Sequence, residues 1–272
     1  ADSRVLPGFI ESIQECFING TCVAQTRIEP RISSTTPIEL LSSLSEIVEH
    51  RLLDSLRARL DWPVRLRGTG MIFRRKILEQ FSGYLHTSVE DLELTLLIGA
   101  DDIPITYIPH VEVHDPKPQN SRGAVHQRAR WLRGQFQVIR SYGPQIIRLI
   151  LQGPRGWSLL ASGLLKPRTF LVPLKVISVS FFLHMAFQGF GLLWQTMAMF
   201  GGASLVFDLV CYLLGLRYTH YRWKTFVALA TSPLFFILWV QSLALAFVHR
   251  QPGLSSRRCI AHPACQRTTQ VP

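Results

Sequence analysis

The sequence predicts an α/β layer over residues 1–168 that gives way to membrane-spanning helices over residues 169–250. Three observations predict it. β-rich stretches alternate with helical periods in the first part, the pattern of a sheet with helices packed on it and ligands at strand ends. Three apolar runs come next, roughly Phe170–Trp194, Met197–Leu216 and Phe226–Val248, each near the ~20 residues that a helix needs to cross ~30 Å of hydrocarbon. Charge divides at the same place: residues 1–168 carry 21 Lys+Arg and 17 Asp+Glu, residues 169–272 carry 8 and 1. The short linkers between the runs argue against core helices of a large soluble protein.

Each element has its own signal. The opening "ADSRVLPGF" has no targeting character. Phe9, Ile10, Ile13 and Phe17 repeat at helical spacing, and Gly20 ends that helix. "TCVAQTRI" reads as a strand. Residues 37–60 read as one amphipathic helix, with Thr36 as cap before Pro37 and Glu39. "VRLRGTGMIFRRKIL" reads as a strand, a glycine turn at Gly68-Thr69-Gly70, a short strand, and a helix ending near Gly83. In "HTSVEDLELTLLIGADD" a helix begins near Ser88 with Leu92, Leu96 and Leu97 inward; Ser88 and Asp91 fit a capping box, and Glu90 and Asp91 suit the helix dipole. "ITYIPHVEVHD" is a strand pair or one bent strand.

The next helix is unusual. From Pro116 to Arg168 the chain has ten Lys+Arg and no acid. Within "VHQRARWLRGQF", Gln127, Arg130, Trp131 and Gly134 share one helical face, with Arg128 about a quarter turn away. Guanidinium groups without acids suit an external anion, because they bind phosphate bidentately, and an indole plane suits the apolar side of a sugar. The same features would also seat a helix on anionic lipid headgroups with Trp131 at the interface. Lys166, Arg168, Arg217, Arg222 and Lys224 flank the apolar runs as cytoplasmic charges do, and no nucleic-acid motif accompanies the high pI. Cys16, Cys22, Cys211, Cys259 and Cys265 form no CxxC pair, so neither a zinc site nor a disulfide framework is read from them. His184 and Asp208 lie near possible span ends, where snorkelling accounts for them.

"SVED", with "QRARW" some forty residues later, resembles the paired motifs of family-2, GT-A-type glycosyltransferases, in particular the processive membrane synthases of cellulose, chitin, hyaluronan and poly-N-acetylglucosamine. Val89 stands where that family usually has Thr. "RGTGMIFRRKIL" resembles its glycine turn before the acceptor site, and Ala1-Asp2 resembles the end of its Asp-x-Asp metal motif, so the chain is expected to begin inside that motif with the nucleotide-binding half upstream. The resemblance implies the C-terminal part of a GT-A (Rossmann-like) catalytic domain over 1–144. Leucines and isoleucines that alternate with Arg148, Arg155 and Lys166 read as amphipathic interface helices over 145–168, the apolar runs as about three transmembrane helices over 169–250, and residues 251–272, without a hydrophobic pattern, as a disordered tail. The resemblance further implies inverting transfer from a nucleotide-diphosphate sugar, UDP-linked, to a glycan or lipid acceptor beside the bilayer of a bacterial inner membrane, with the catalytic part cytoplasmic. Asp91 would be the base with Glu90 beside it. Asp2 would hold a divalent metal, Mg2+ or Mn2+. Arg130 and Arg128 would neutralise the diphosphate, Trp131 would stack on the acceptor, Gln127 would hydrogen-bond nearby, and Gly68, Thr69 and Gly70 would border the substrate. A non-processive transferase to lipid and an inactive remnant are the alternatives.

Overall fold

The computed structural model describes residues 3–164, 168–189 and 191–248; Asp2, Lys166 and the tail from residue 249 lie outside them. The first part runs β1 (Arg4–Val5), α1 (Phe9–Ile18), β2 (Val23–Arg31), α2 (Pro37–Ile47), α3 (Ser55–Arg59), β3 (Met71–Phe73), α4 (Arg75–Ser82), α5 (Glu90–Ala100), β4 (Ile105–Pro116) and α6 (Ser121–Ser141). The sheet order is β1-β4-β2-β3, with β2 and β4 parallel at its centre and antiparallel strands at both edges. β4 is one strand. Its register against β2 slips between Thr26, opposite Ile108, and Arg27, opposite Glu112, which is the bend that its sequence suggests.

The expected helix 37–60 begins as predicted: Pro37 sits in the first turn and the Thr36 side chain accepts from the Glu39 N–H. Its middle differs. Val48–Asp54 is π-helical, and this wider coil buries Glu49, His50 and Asp54 together. The expected strand over 64–67 is also different. It is buried extended chain whose N–H groups bond to side chains instead of a neighbouring strand: Leu66 N–H to Thr95 Oγ1 at 2.9 Å and Arg67 N–H to Gln25 Oε1 at 3.0 Å.

α5 buries every residue from Leu92 to Ala100, more than the one face that the leucine spacing suggests. The cover comes from two helices beyond α6. α7 (Gly143–Leu151) and α8 (Pro154–Leu164) pack on each other and over α5, placing Leu149, Leu159 and Leu160 in its core. Ile147, Leu151 and Trp157 remain exposed on these two helices.

α9 (Arg168–Phe187), α10 (Leu192–Leu216), α11 (Arg222–Leu229) and α12 (Ser232–Val248) complete the order. Among the described residues, α10 alone is long and apolar enough to cross a membrane. The third apolar run is not one helix. It breaks between α11 and α12, where Thr231 Oγ1 donates to Ala228 O at 2.6 Å and Pro233, without an N–H, comes two residues later. Asp208 is not a snorkelling end either: it is buried on α10 and paired with Lys175 of α9, Nζ to Oδ2 2.5 Å. The end of α10 seats Gly215 against Val48, and α12 lies along α6, with the Phe247 and Phe136 rings 5.3 Å apart.

Candidate active site

A cleft of about 390 Å³ opens beside the C-terminal end of β4, between the start of α5, the glycine turn and α6. Gly68, Thr69, Glu90, Asp91, Gln127, Arg128, Arg130 and Trp131 all line it, so eight residues expected from sequence meet in one place. Gly134 brings the two motifs together. A Cβ on it would stand 2.5 Å from the methyl carbons of Val89, so α6 can approach the residue before Glu90 only with glycine there. Gly70 supports the wall from behind. Its φ is +70°, its carbonyl accepts from the Thr26 N–H at 3.0 Å, and a Cβ would fall 2.2 Å from Thr26 Oγ1. Buried Gln25 clamps the turn on both sides, donating to Thr69 O at 2.8 Å and accepting from Arg67 N–H. Asp2 lies outside the described residues; its neighbour Ser3 donates to Asp115, which lines the cleft, at 2.6 Å.

The acidic side departs from the capping expectation. Ser88 and Asp91 form no capping box. Glu93 takes that role, accepting from His86 N–H at 2.8 Å and Thr87 N–H at 3.0 Å, while Val89 at the helix start makes no side-chain cap. Asp91 keeps one oxygen on the helix start and turns the other to the cleft. Its Oδ1 accepts from the Leu92 N–H at 2.8 Å, and its Oδ2 faces Arg65 Nη2 at 3.7 Å. Glu90 is exposed at the rim.

Arg65 and Arg67, on the extended chain before the glycine turn, escape a motif-based reading. Their signal is the alternation in "VRLRG": period 2 puts Val64 and Leu66 into the core and both arginines on the other side. Arg67 is paired through Nη2, which bonds Glu49 at 3.1 Å and Asp54 at 2.8 Å; burial opposes its charge, but those two carboxylates hold its pKa above the ordinary value. Arg65 is held below the ordinary value, first by burial and then by Arg67, against the pull of Asp91. Lys117 is likewise taken, by Glu46 and Asp115.

The basic side is different. Arg128 is 6 % exposed, and its Nη1 has no hydrogen-bond partner. Its guanidinium lies over the rings of Phe235 and Trp239 from α12, 5.4 and 4.8 Å from their centroids, and burial pushes its pKa down to about 10. Arg130 is exposed at the mouth, and Trp131 offers a 41 % exposed indole. Among the described residues neither Arg128 nor Arg130 meets a carboxylate. No local pattern hints that Phe235 and Trp239, about a hundred residues away, roof this site. One cleft therefore holds a carboxylate with a free oxygen, two guanidinium groups without acids, and an aromatic face. That set can take a proton from a hydroxyl, receive a diphosphate and carry a sugar ring. Among the described residues no group of three or more His, Cys, Asp or Glu could hold a metal ion, and two acids of the cleft, Glu46 and Asp115, share the single cation of Lys117.

Comparison with known proteins agrees with this chemistry. A sequence profile for "Glycosyl transferase family group 2" matches residues 1–248. A rice (Oryza sativa subsp. japonica) protein named "Probable glucomannan 4-beta-mannosyltransferase 3" is 31 % identical over 81 residues, 29 % of this chain. The matched stretch spans 15 % of that relative.

Proposed function

We propose, for a chain that belongs to glycosyl transferase family group 2 and is thereby a glycosyltransferase, that this cleft moves a sugar with inversion from a nucleotide-diphosphate sugar, a UDP-sugar, to a hydroxyl of a growing glycan at a membrane. In this reading the acceptor oxygen bonds to the anomeric carbon as the bond from that carbon to the diphosphate oxygen breaks. The hydroxyl proton passes to Asp91 Oδ2, and the nucleoside diphosphate leaves with the bonding pair. Arg128 and Arg130 meet the charge that builds on the leaving group, where fixed donors in a partly dry site act most strongly. Trp131 carries the acceptor ring and Gln127 bonds beside it. The name of the rice relative supports a polysaccharide acceptor and a hexosyl group. The described acids do not form a metal site by themselves, so Mg2+ or Mn2+ would need Asp2, and no step here is routed through it.

The single observation that carries the reading is that Asp91 and the acid-free pair Arg128 and Arg130 line the same cleft. The test is Asp91→Asn in the full-length protein, assayed with a panel of nucleotide sugars. Transfer should be lost while donor binding is retained, because the base acts only in the chemical step. Normal turnover in that variant would leave Asp91 a helix-terminal acid and end the proposal. Chelation followed by Mn2+ or Mg2+ in the same assay tests the metal: transfer should fall and return.

A further inference from the structure

We infer that Arg65 is a positioning residue for Asp91, and that it is braced for this by the C-terminal carbonyls of α8. The inference rests on the reading of Asp91 as the base. Arg65 Nη1 donates to Ser162 O at 3.1 Å and to Gly163 O at 3.3 Å. These carbonyls belong to the last turn of α8, where carbonyl groups lack helical partners and carry the negative end of the helix dipole. A guanidinium is planar and rigid, so fixing Nη1 also fixes the direction of Nη2. Nη2 points to Asp91 Oδ2 at 3.7 Å.

That distance separates the two carboxylate oxygens. Oδ1 is occupied by the Leu92 N–H at 2.8 Å. Oδ2 is beyond ordinary hydrogen-bond length from Arg65, so it is steered without being consumed and keeps room for a proton. The glycine turn borders the same oxygen, since a Cβ on Gly68 would stand 4.0 Å from Oδ2, at contact distance without a clash. Arg67 cannot substitute, because Glu49 and Asp54 already hold it. Gly163 fits α8 against the same helix that carries the base: a Cβ there would stand 2.7 Å from Leu92 Cδ1. Gln135 of α6 also donates to Gly163 O, at 3.3 Å, so the end of α8 is tied to both walls of the cleft.

The experiment uses the full-length protein with Arg65→Gln and Arg65→Lys, measuring kcat, KM for each substrate, and the Kd of the nucleotide sugar. Arg65→Gln should lower kcat roughly tenfold to a hundredfold with donor Kd unchanged, the scale of a misplaced catalytic group. Arg65→Lys keeps the cation and loses the fork, so its kcat should lie between Gln and wild type. An unchanged kcat in Arg65→Gln overturns the inference, as does donor binding weakened in proportion to the rate. If Arg65→Gln does not fold, Arg65→Lys decides: wild-type kcat overturns the inference, and reduced kcat with intact donor Kd supports it. Asp91→Asn is run beside them. If it turns over normally, the base reading falls and this inference with it; if it is inactive while Arg65→Gln is unimpaired, only this inference falls.

Discussion

Two arginines two positions apart on one helix do different work. Arg128 is buried with its plane against Phe235 and Trp239, and it remains charged at neutral pH because its pKa is lowered only to about 10. A buried cation without an acid is costly until an anion arrives, so it is a poor anchor for lipid and a good receiver for a diphosphate oxygen. Arg130 is exposed and competes with water. Arg130→Lys retains the charge, so a headgroup anchor would tolerate it, whereas a bidentate phosphate contact would not. Losing one such contact is worth about 1.5–3 kcal/mol, and on the order of tenfold to a hundredfold in initial rate if it acts in the transition state. Initial rate and membrane retention of the full-length variant check this: the rate should fall and retention should hold. Unchanged rate with lost retention would make the helix an anchor instead.

At the scale of elements, the site depends on how closely α6 can approach the start of α5. Gly134→Ala drives a methyl group into Val89, since the Cβ position lies 2.5 Å from both of its methyl carbons. Overpacking of this kind typically costs about 1–3 kcal/mol, and it should also separate Asp91 from the arginines. Thermal unfolding and transfer rate should both decline, and Val89→Ala in the same chain should restore much of each. Much of this was legible in the sequence, because helix caps, the glycine turn and the two motifs are local signals. Eight of the expected residues line the cleft. What was not legible depends on distant partners. Glu93 displaces Ser88 and Asp91 as the cap because His86 and Thr87 fold back onto it. The segment at 64–67 is not a strand because Thr95 and Gln25 provide its bonds. The π-helical turn answers to Arg67, which gathers Glu49 and Asp54.

For the whole molecule, the apolar C-terminal helices pack against the layer that carries the cleft. α10 abuts the π-helical stretch through Gly215, and α12 lies along α6. α7 and α8 turn Ile147, Leu151 and Trp157 outward while their other faces cover α5, an arrangement suited to the plane of a bilayer interface. Cysteines introduced at Arg148 and Arg155 of the full-length protein should label from the same side as the catalytic layer; labelling from the opposite side would remove these helices from that interface. The roof over Arg128 has a consequence in time. The base and its brace are encoded by residue 163, but Phe235 and Trp239 belong to the last described helix. A chain emerging from the ribosome therefore carries Asp91 and the brace on Arg65 before the rings that cover Arg128 have been made.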